Sequence, residues 1–510
     1  MAPEVVLGVS AFDGSSACCL MRDGAVVAAA LEESFTRVAG DRSFPSRAIA
    51  HCLTAAGLGV RDVSGVAVAC PGDQVAVALE LLDRLGVRAP CERMDRATAH
   101  AAAAFLFSPS EEAAVLTIDA HGFASYFAGR GLELTLLGGF PEPAAAIRLL
   151  DVVGAKVAPG AGVFELLGLA EAGTDDWCAR LAGMARYPAS LRRLVHTLES
   201  KGQTSQTRAD FARGAQSVAE AALANAAGHV RRATGGAQLC ASLDAPLAEL
   251  SSFLDETQGV FVPPATGSTA VALGAAGALH ARRTGRRPTA GALETGVATA
   301  PRGADVQGLL EASSLVFSDY RNDESELLEA VTDRLVAGQV IAWHHGALEV
   351  ASRVGEGRIV LVNPARRDYV ARLEGVGERP GARRRSSTVQ RTPPRPGQAN
   401  VITPREGGRL ARLLSCFEER TGCSHLAAVS LRAGDEPTAF SLEDSLRAFT
   451  RALIGTLVLE DFLVDRSHLP VAWAHRVANG ERLAPARPRA ADRPPPSTSR
   501  LRRSVCSYAK

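Results

Sequence analysis

The sequence predicts an α/β protein. Short apolar runs rich in valine and alanine, the length of strands, alternate with amphipathic stretches the length of helices through the first hundred residues. A second alternation of the same kind starts near Glu324. The chain has 510 residues, 46% of them hydrophobic and 22% charged, ample for more than one core.

The elements follow in order. "EVVLGVSAF" reads as a strand, and Arg22-Asp23-Gly24 as the turn of a hairpin between two apolar runs. A helix is expected over "SRAIAHCLTAAGL", a strand over "GVAVAC", a helix over "QVAVALELLDRLG", a helix over Arg96–Phe107 and a strand over "AAVLTID". Residues 175–235 carry a helical pattern that ends at Gly235-Gly236, as helices commonly end. Strand "AQLCASL" and the small-residue helix "STAVALGAAGALHARR" follow. Residues 282–308 are rich in Gly, Pro, Ala and Thr with weak periodicity, so a linker is expected over 282–323. The second alternation reads helix "ESELLEAVTDRLVAGQ", strands "VIAWHH" and "GRIVLVNP", a basic loop to about 400, helix "GRLARLLSCFEERTG", strand "LAAVSL", helix "LEDSLRAFTRALI" and strand "TLVLEDFLVD". The Arg/Pro-rich stretch 466–510 cannot bury a core and is expected to be disordered.

Composition excludes several classes. A net charge of +1 gives no reason to expect a nucleic-acid partner. Ten scattered cysteines without a C-x-x-C pair argue against a disulfide framework or zinc ribbon, and reduced core thiols fit a cytoplasmic protein. Lysine occurs only at positions 156, 201 and 510, which leaves little material for lysine catalysis. No apolar run approaches membrane-spanning length, and no signal peptide is expected.

A set of motifs is familiar in order and spacing: Gly8, Ser10-Ala11-Phe12, Arg22-Asp23-Gly24, Glu32-Glu33, Phe35-Thr36-Arg37, Asp41 and Phe44-Pro45. Further on come "FLFSPSEEAAVLTIDAHG", "ELLGLAEAG", "ALGAAGAL", "DEPTAFSLEDSLRAF" and "LVLEDFLV". Over about residues 5–465 the chain resembles the carbamoyltransferases that act in nodulation-factor, cephamycin and aminoglycoside biosynthesis. The resemblance implies an actin-like ATPase domain over 1–281, two-lobed and built of mixed sheets with helices, similar to the tRNA threonylcarbamoylation ATPase. It implies a YrdC-like α/β domain over 324–465. The family's second domain converts carbamoyl phosphate and ATP to a carbamoyl adenylate. The first passes the carbamoyl group to a hydroxyl of a small acceptor, beside an iron-type metal.

The resemblance also assigns positions. The family's His-His-x-x-His-Ala segment puts two metal-binding histidines on one helix face. Here the first position is Arg96 and the last is His100. The family's strand aspartate corresponds to Asp119, and a late ligand aspartate to Ser268. A permanent cation at Arg96 would repel a divalent ion. Two arrangements are open: His121, two residues after Asp119, restores a ligand, or Arg96 pairs with Asp119 in place of metal. The second is preferred.

The nucleotide loops are altered too. The hairpin acid is replaced within Gly14-Ser15-Ser16, and the two glycines of the adenosine loop by Leu243 and Asp244. The Gly160-Ala161-Gly162 stretch, with Lys156 nearby, reads as a plain flexible loop. In the second domain Glu349, Arg353 and Arg358 match a family motif, Arg379 and Arg383 fall in a second, and Ser430 in a third. Arginine suits carbamoyl phosphate because its planar fork matches phosphate oxygens. His344 and His345 are adjacent on a strand, point to opposite faces and make no joint site.

Two expectations follow. The chain is an O-carbamoyltransferase using ATP, carbamoyl phosphate and a hydroxylated acceptor, with eroded sites and doubtful metal binding. Otherwise it is a pseudoenzyme, a structural or regulatory protein partner of an active relative. No nucleic-acid or membrane partner is expected, and no residue is assigned to catalysis.

Overall fold

The structure, a computed structural model, describes residues 3–157, 166, 170, 173–185, 204–235, 238–244, 247–250, 259–263, 265, 267–291, 303–346, 357–366, 387–390, 401–402, 407–434 and 436–469. The first sheet grows from a meander. Strands β1 (Val5–Ser10), β2 (Ala17–Arg22) and β3 (Ala25–Leu31) pair antiparallel. The β2–β3 turn is Asp23-Gly24, both with positive φ (51° and 83°), as a twist-matched two-residue turn requires. Helices α1 (Glu33–Thr36) and α2 (Ser46–Ala55) lead to β4 (Gly65–Ala69), which lies parallel to β1. Helix α3 (Val75–Arg84) returns the chain to β5 (Cys91–Met94), parallel to β4. The strand order is β3-β2-β1-β4-β5.

A second sheet repeats the scheme. After α4 (Arg96–Leu106), strands β6 (Glu112–Ile118), β7 (Ala124–Arg130) and β8 (Glu133–Phe140) form another antiparallel meander. Helices α5 (Ala144–Val157), α6 (Cys178–Ala185) and α7 (Ser205–Ala233) precede β9 (Leu239–Leu243), which joins β6 in parallel. The order β8-β7-β6-β9 matches β3-β2-β1-β4. Helix α8 (Gly267–Thr284) packs on β1 and on α4, and α4 packs on β6 and β9. Two mixed sheets thus sandwich a helix pair.

Small residues make that pair possible. A Cβ on Gly274 of α8 would lie 1.8 Å from the Ala99 carbonyl oxygen of α4, and one on Gly8 would lie 1.9 Å from that of Ala272. Only glycine fits at either place, and the alanines of α4 (Ala99, Ala101–Ala104) are buried in the same contact. The outer faces are lined conventionally. Leu7, Val9 and Val68 meet Ile49, Leu53 and Leu82, while Leu116, Ile118 and Leu243 meet Leu149, Val153, Phe211 and Leu223.

The later part adds α9 (Gly303–Ala312), β10 (Ser318–Asp319), α10 (Glu324–Val336), β11 (Ile341–His344), β12 (Arg358–Val362), β13 (Ser387–Gln390), β14 (Val401–Ile402), α11 (Arg409–Thr421), β15 (His425–Ser430), α12 (Leu442–Arg451), β16 (Thr456–Leu459) and β17 (Phe462–Asp465). They build one mixed sheet in the order β10-β17-β16-β11-β12-β15-β13-β14. One face packs on α9 and α12 through Val306, Leu310, Leu446 and Phe449, the other on α10 and α11 through Leu327, Val331, Leu413 and Phe417. The whole is mixed α/β. No helix among the described residues is long and apolar enough to cross a membrane.

Several segments differ from their sequence-based expectation. "TLVLEDFLVD" is a hairpin, β16–β17, because Glu460 takes a left-handed conformation (φ 52°) and the polar Glu460-Asp461 pair forms its tip. Within 282–323, expected as linker, α9 contributes Val306 and Leu310 to a core. At the start of the expected disordered tail, Arg466 donates to the carbonyls of Phe449, Thr450, Ala452 and Ile454, tying 466–469 to the end of α12. The rest of that stretch lies outside the described residues.

Two motifs four hundred residues apart meet. Arg37 donates from Nε to Glu436, from Nη1 to the Thr438 carbonyl and from Nη2 to the Pro437 carbonyl, at 3.1, 3.1 and 2.6 Å. Phe440 stands edge-on to Phe35 and His51, with centroids 4.9 and 5.1 Å away. "FTR" and "EPTAF" are therefore two halves of one joint.

Candidate functional site

The carboxyl ends of β1 and β9 and the amino ends of α4 and α8 converge on one crevice. Asp95 caps α4 by accepting from the Thr98 N–H, so Arg96 occupies the first helical position with its side chain free to cross the crevice. Its partner is Asp244, one residue past β9 and held there by its N–H to the Ile118 carbonyl. Arg96 Nε and Nη2 both donate to Asp244 Oδ2, at 2.8 and 2.6 Å. Nη1 donates to Ser10 Oγ at the end of β1 (3.2 Å), and Nη2 also to Ser268 Oγ on the first turn of α8 (3.3 Å). The Arg96 and Asp244 side chains are 16% and 6% exposed, so this is a largely buried ion pair.

Further groups close around it. His100, one turn along α4, is buried. Its Nδ1 lies 2.8 Å from Ser242 Oγ on β9. Its Nε2 stands 3.7 Å from Asp244 Oδ2, near enough for charge attraction but too far for a hydrogen bond, and has no hydrogen-bond partner. Gly267 (φ 57°) starts α8, and a Cβ there would lie 3.7 Å from Asp244 Oδ1, so the carboxylate sits beside that helix's amino end. A Cβ on Gly14 (φ 72°) would lie 3.2 Å from Ser268 Oγ and 3.3 Å from Arg96 Nη2, so the Asp13–Ser16 loop covers the pair closely. Burial opposes ionisation of Asp244, but His100 and Arg96 outweigh it and hold the carboxyl below the usual carboxylate range.

The residues predicted for a metal site divide. Arg96, His100 and Ser268 come together around Asp244. Asp119 does not take Arg96 as expected: its Oδ1 accepts from the His121 and Phe123 N–H groups, both at 2.9 Å, and shapes the β6–β7 turn. The parity argument for His121 fails because β6 ends at Ile118, so His121 lies in that turn and is exposed. Asp244, expected only to crowd a nucleotide loop, is the acid that matters. Asp119 and Asp244 both follow the last residues of neighbouring parallel strands, Ile118 and Leu243, which pair with one another. Either could have been proposed as the partner of Arg96; turn chemistry removes the first.

These side chains do not fit a divalent ion. A guanidinium fills the position that the resemblance gives to the first ligand, and its nitrogens are committed to Asp244, Ser10 and Ser268. Among the described residues no three His, Cys, Asp or Glu side chains converge as a metal site. No chemical step is therefore routed through a metal.

In the later sheet, Arg358 is 3% exposed. Nη1 donates to the carbonyls of His345 and Gly357 and Nη2 to that of Gly346, so it braces two strand ends. Burial pulls its pKa down to about 10, against the opposing effect of Glu460. Ser430 ends β15 beside it, paired in register with Ile359. Glu349, Arg353, Arg379 and Arg383, like the 160–162 loop, lie outside the described residues. His344 and His345 part ways: His344 Nδ1 is 2.6 Å from Ser445 Oγ, and His345 Nδ1 is 2.8 Å from Glu460 Oε2.

No family model matches the chain. Among solved structures, a putative N-acetylglucosamine kinase from Chromobacterium violaceum is 14% identical, aligned over 55% of this chain and 99% of that one, with a TM-score of 0.27. YeaZ from Pseudomonas aeruginosa is 16% identical over 28% of this chain and 70% of that one, with a TM-score of 0.22. Likeness this slight bears no weight for the fold. An uncharacterized Synechocystis protein, sll1178, is 24% identical over 603 residues, covering 91% of this chain and 97% of that protein. The nodulation protein NolNO of Sinorhizobium fredii is 24% identical over 557 residues, covering 91% of this chain and 81% of NolNO. Over most of its length the chain is a distant relative of nodulation protein NolNO.

Proposed function

We propose that the chain is a divergent carbamoyltransferase-type protein whose crevice has given up metal-assisted transfer, and that it now serves as a non-catalytic partner of an active relative. The kinship to NolNO and the motif resemblance support the family. The reaction of that family is ATP-dependent movement of a carbamoyl group from carbamoyl phosphate, through a carbamoyl adenylate, to a hydroxyl of a secondary metabolite. One observation carries the loss of the metal step: Arg96 places two nitrogens on Asp244 Oδ2 where the family's first ligand would stand. A carboxylate and a guanidinium at these two positions neutralise one another, so each substitution makes the other tolerable. We assign residues 1–281 to an actin-like unit and 324–465, together with α9, to a YrdC-like unit, in a cytoplasmic protein.

The test uses the full chain with carbamoyl phosphate, ATP and labelled pyrophosphate, alone and mixed with an active carbamoyltransferase encoded nearby. The proposal predicts no carbamoyl-phosphate-dependent ATP–pyrophosphate exchange by the chain alone, and co-purification with, or stimulation of, the active enzyme. Exchange or carbamoyl transfer by the isolated chain would restore the transferase reading. Neither binding nor stimulation would remove the partner role.

A further inference from the structure

The joint that brings "FTR" to "EPTAF" encloses a titratable ring. His51 lies on α2, the helix whose Arg47 and Ala48 N–H groups are held by the buried Glu32 carboxylate. Its ring stands between Phe35 of α1 and Phe440 of the later part, each with its centroid 5.1 Å away. Phe440 is fixed in turn, because its N–H and that of Ser441 both donate to Asp444 in the cap of α12. His51 Nε2 is buried in this clamp, with no hydrogen-bond partner among the described residues. A neutral ring can carry its proton on Nδ1 and leave Nε2 bare. A protonated ring must put an N–H on Nε2 as well, where no acceptor meets it. The charged groups around the joint are already engaged. Arg37 and Arg447 each hold both Glu436 and Asp444, and Arg451 also holds Glu436, so three guanidinium groups share two carboxylates. On the other side Glu32 serves α2, Glu33 accepts from the Gly40 N–H, Asp41 accepts from the Ser43 N–H, and Arg47 donates to the Phe35 carbonyl. Burial accordingly pulls the His51 pKa below its ordinary value.

We infer that this joint is a pH-sensitive latch: with His51 neutral the two parts are closed on one another, and in mild acid its protonation releases them. Opening takes Phe440 off the ring and lets water reach Nε2, so the open form accepts the proton that the closed form refuses. Closure is fully favoured above about pH 6.5, the ordinary value for histidine, and weakens as pH falls below it. Opening becomes easier by up to about tenfold per pH unit, until the closed form's own lower value is reached. The latch belongs to the joint and stands whether or not the chain has kept any carbamoyl chemistry.

The experiment follows amide hydrogen exchange in the full chain by mass spectrometry at about pH 7.5 and about pH 5.5, with each rate divided by the intrinsic exchange rate at that pH. Peptides covering 35–51 and 436–444 report the joint. In the natural chain their protection is expected to fall several-fold, up to about tenfold, at the lower pH. In His51→Phe, which keeps an aromatic ring in the clamp but cannot titrate, protection is expected to change by less than about twofold. His51→Gln is the second variant should His51→Phe not fold, with the same expectation. An NMR titration of the natural chain with carbon-13-labelled histidine, the His51 signal assigned by its loss in either variant, is expected to give a midpoint below the ordinary value for histidine. Protection in the natural chain that is the same at both pH values would overturn the inference. So would an equal fall in the variants, since another group would then be the trigger, and so would a His51 midpoint at or above the ordinary value.

Discussion

Removing Arg96 should be far more damaging than removing the ion pair as a whole. In Arg96→Met the Asp244 carboxylate, 6% exposed in the natural chain, loses both bonds to Oδ2, and Ser10 and Ser268 each lose a donor. Breaking a fully buried pair from one side costs about 3–5 kcal/mol. The Arg96 side chain is 16% exposed, and Asp244 would keep the amino end of α8 and His100 nearby, so the lower part of the range applies. We expect about 2–4 kcal/mol. Arg96→Met with Asp244→Asn leaves no stranded charge and should recover much of the loss, giving a coupling of about 2 kcal/mol in a double-mutant cycle. The assay is urea unfolding at neutral pH, read as shifts in midpoint at constant slope. Additive effects of the two substitutions would refute the pairing of Arg96 with Asp244.

Other expectations follow from the same contacts. Asp244 is held below the usual carboxylate range in the folded protein, so its stabilisation is present above the unfolded-state value, about 3.9, and fades as pH falls through that region. The Tm difference between the natural chain and Asp244→Asn should therefore shrink between about pH 5 and pH 3, and a difference constant with pH would count against a charged Asp244. Gly274→Ala should destabilise by about 1–3 kcal/mol despite the better helix propensity of alanine, because its Cβ would meet the Ala99 carbonyl; an unchanged Tm would contradict the close approach of α4 and α8. Arg37→Ala removes the guanidinium contacts to Glu436, Pro437, Thr438 and Asp444, and should split one calorimetric transition into two as the sheets on either side of the joint unfold separately. A single transition at the natural Tm would mean that Arg37 does not hold the joint.

Much of the architecture could be read from local pattern. The Asp23-Gly24 turn, the helices Ser46–Ala55, Val75–Arg84, Arg96–Leu106 and Gly267–Thr284, and the parallel strands between them follow from periodicity, caps and glycine placement. The β7–β8 hairpin escaped because β8 is an edge strand with Leu136 and Leu137 exposed, so no clean alternation marks it. The β16–β17 turn escaped because Glu460 takes a positive φ without being glycine. In the site, spacing brought Arg96 and His100 to one helix face, and resemblance brought Ser268 to them. The acid that completes the cluster is 148 positions from Arg96, and no local pattern separates Asp244 from Asp119. The difference lies in the β6–β7 turn, where two backbone N–H groups take the Asp119 carboxylate first. Arg358 shows the opposite failure: a residue type suited to phosphate is spent on main-chain carbonyls because it is buried at a strand end.

The most direct test of an ion pair standing where the resemblance puts a metal is a metal count. The full chain, produced with iron and manganese in the medium and purified without chelators under nitrogen, would be analysed by inductively coupled plasma mass spectrometry beside His100→Ala. The Arg96–Asp244 pair predicts far less than one equivalent of either metal in both proteins. Close to one equivalent in the natural chain, lost in His100→Ala, would show that the crevice is a metal centre after all.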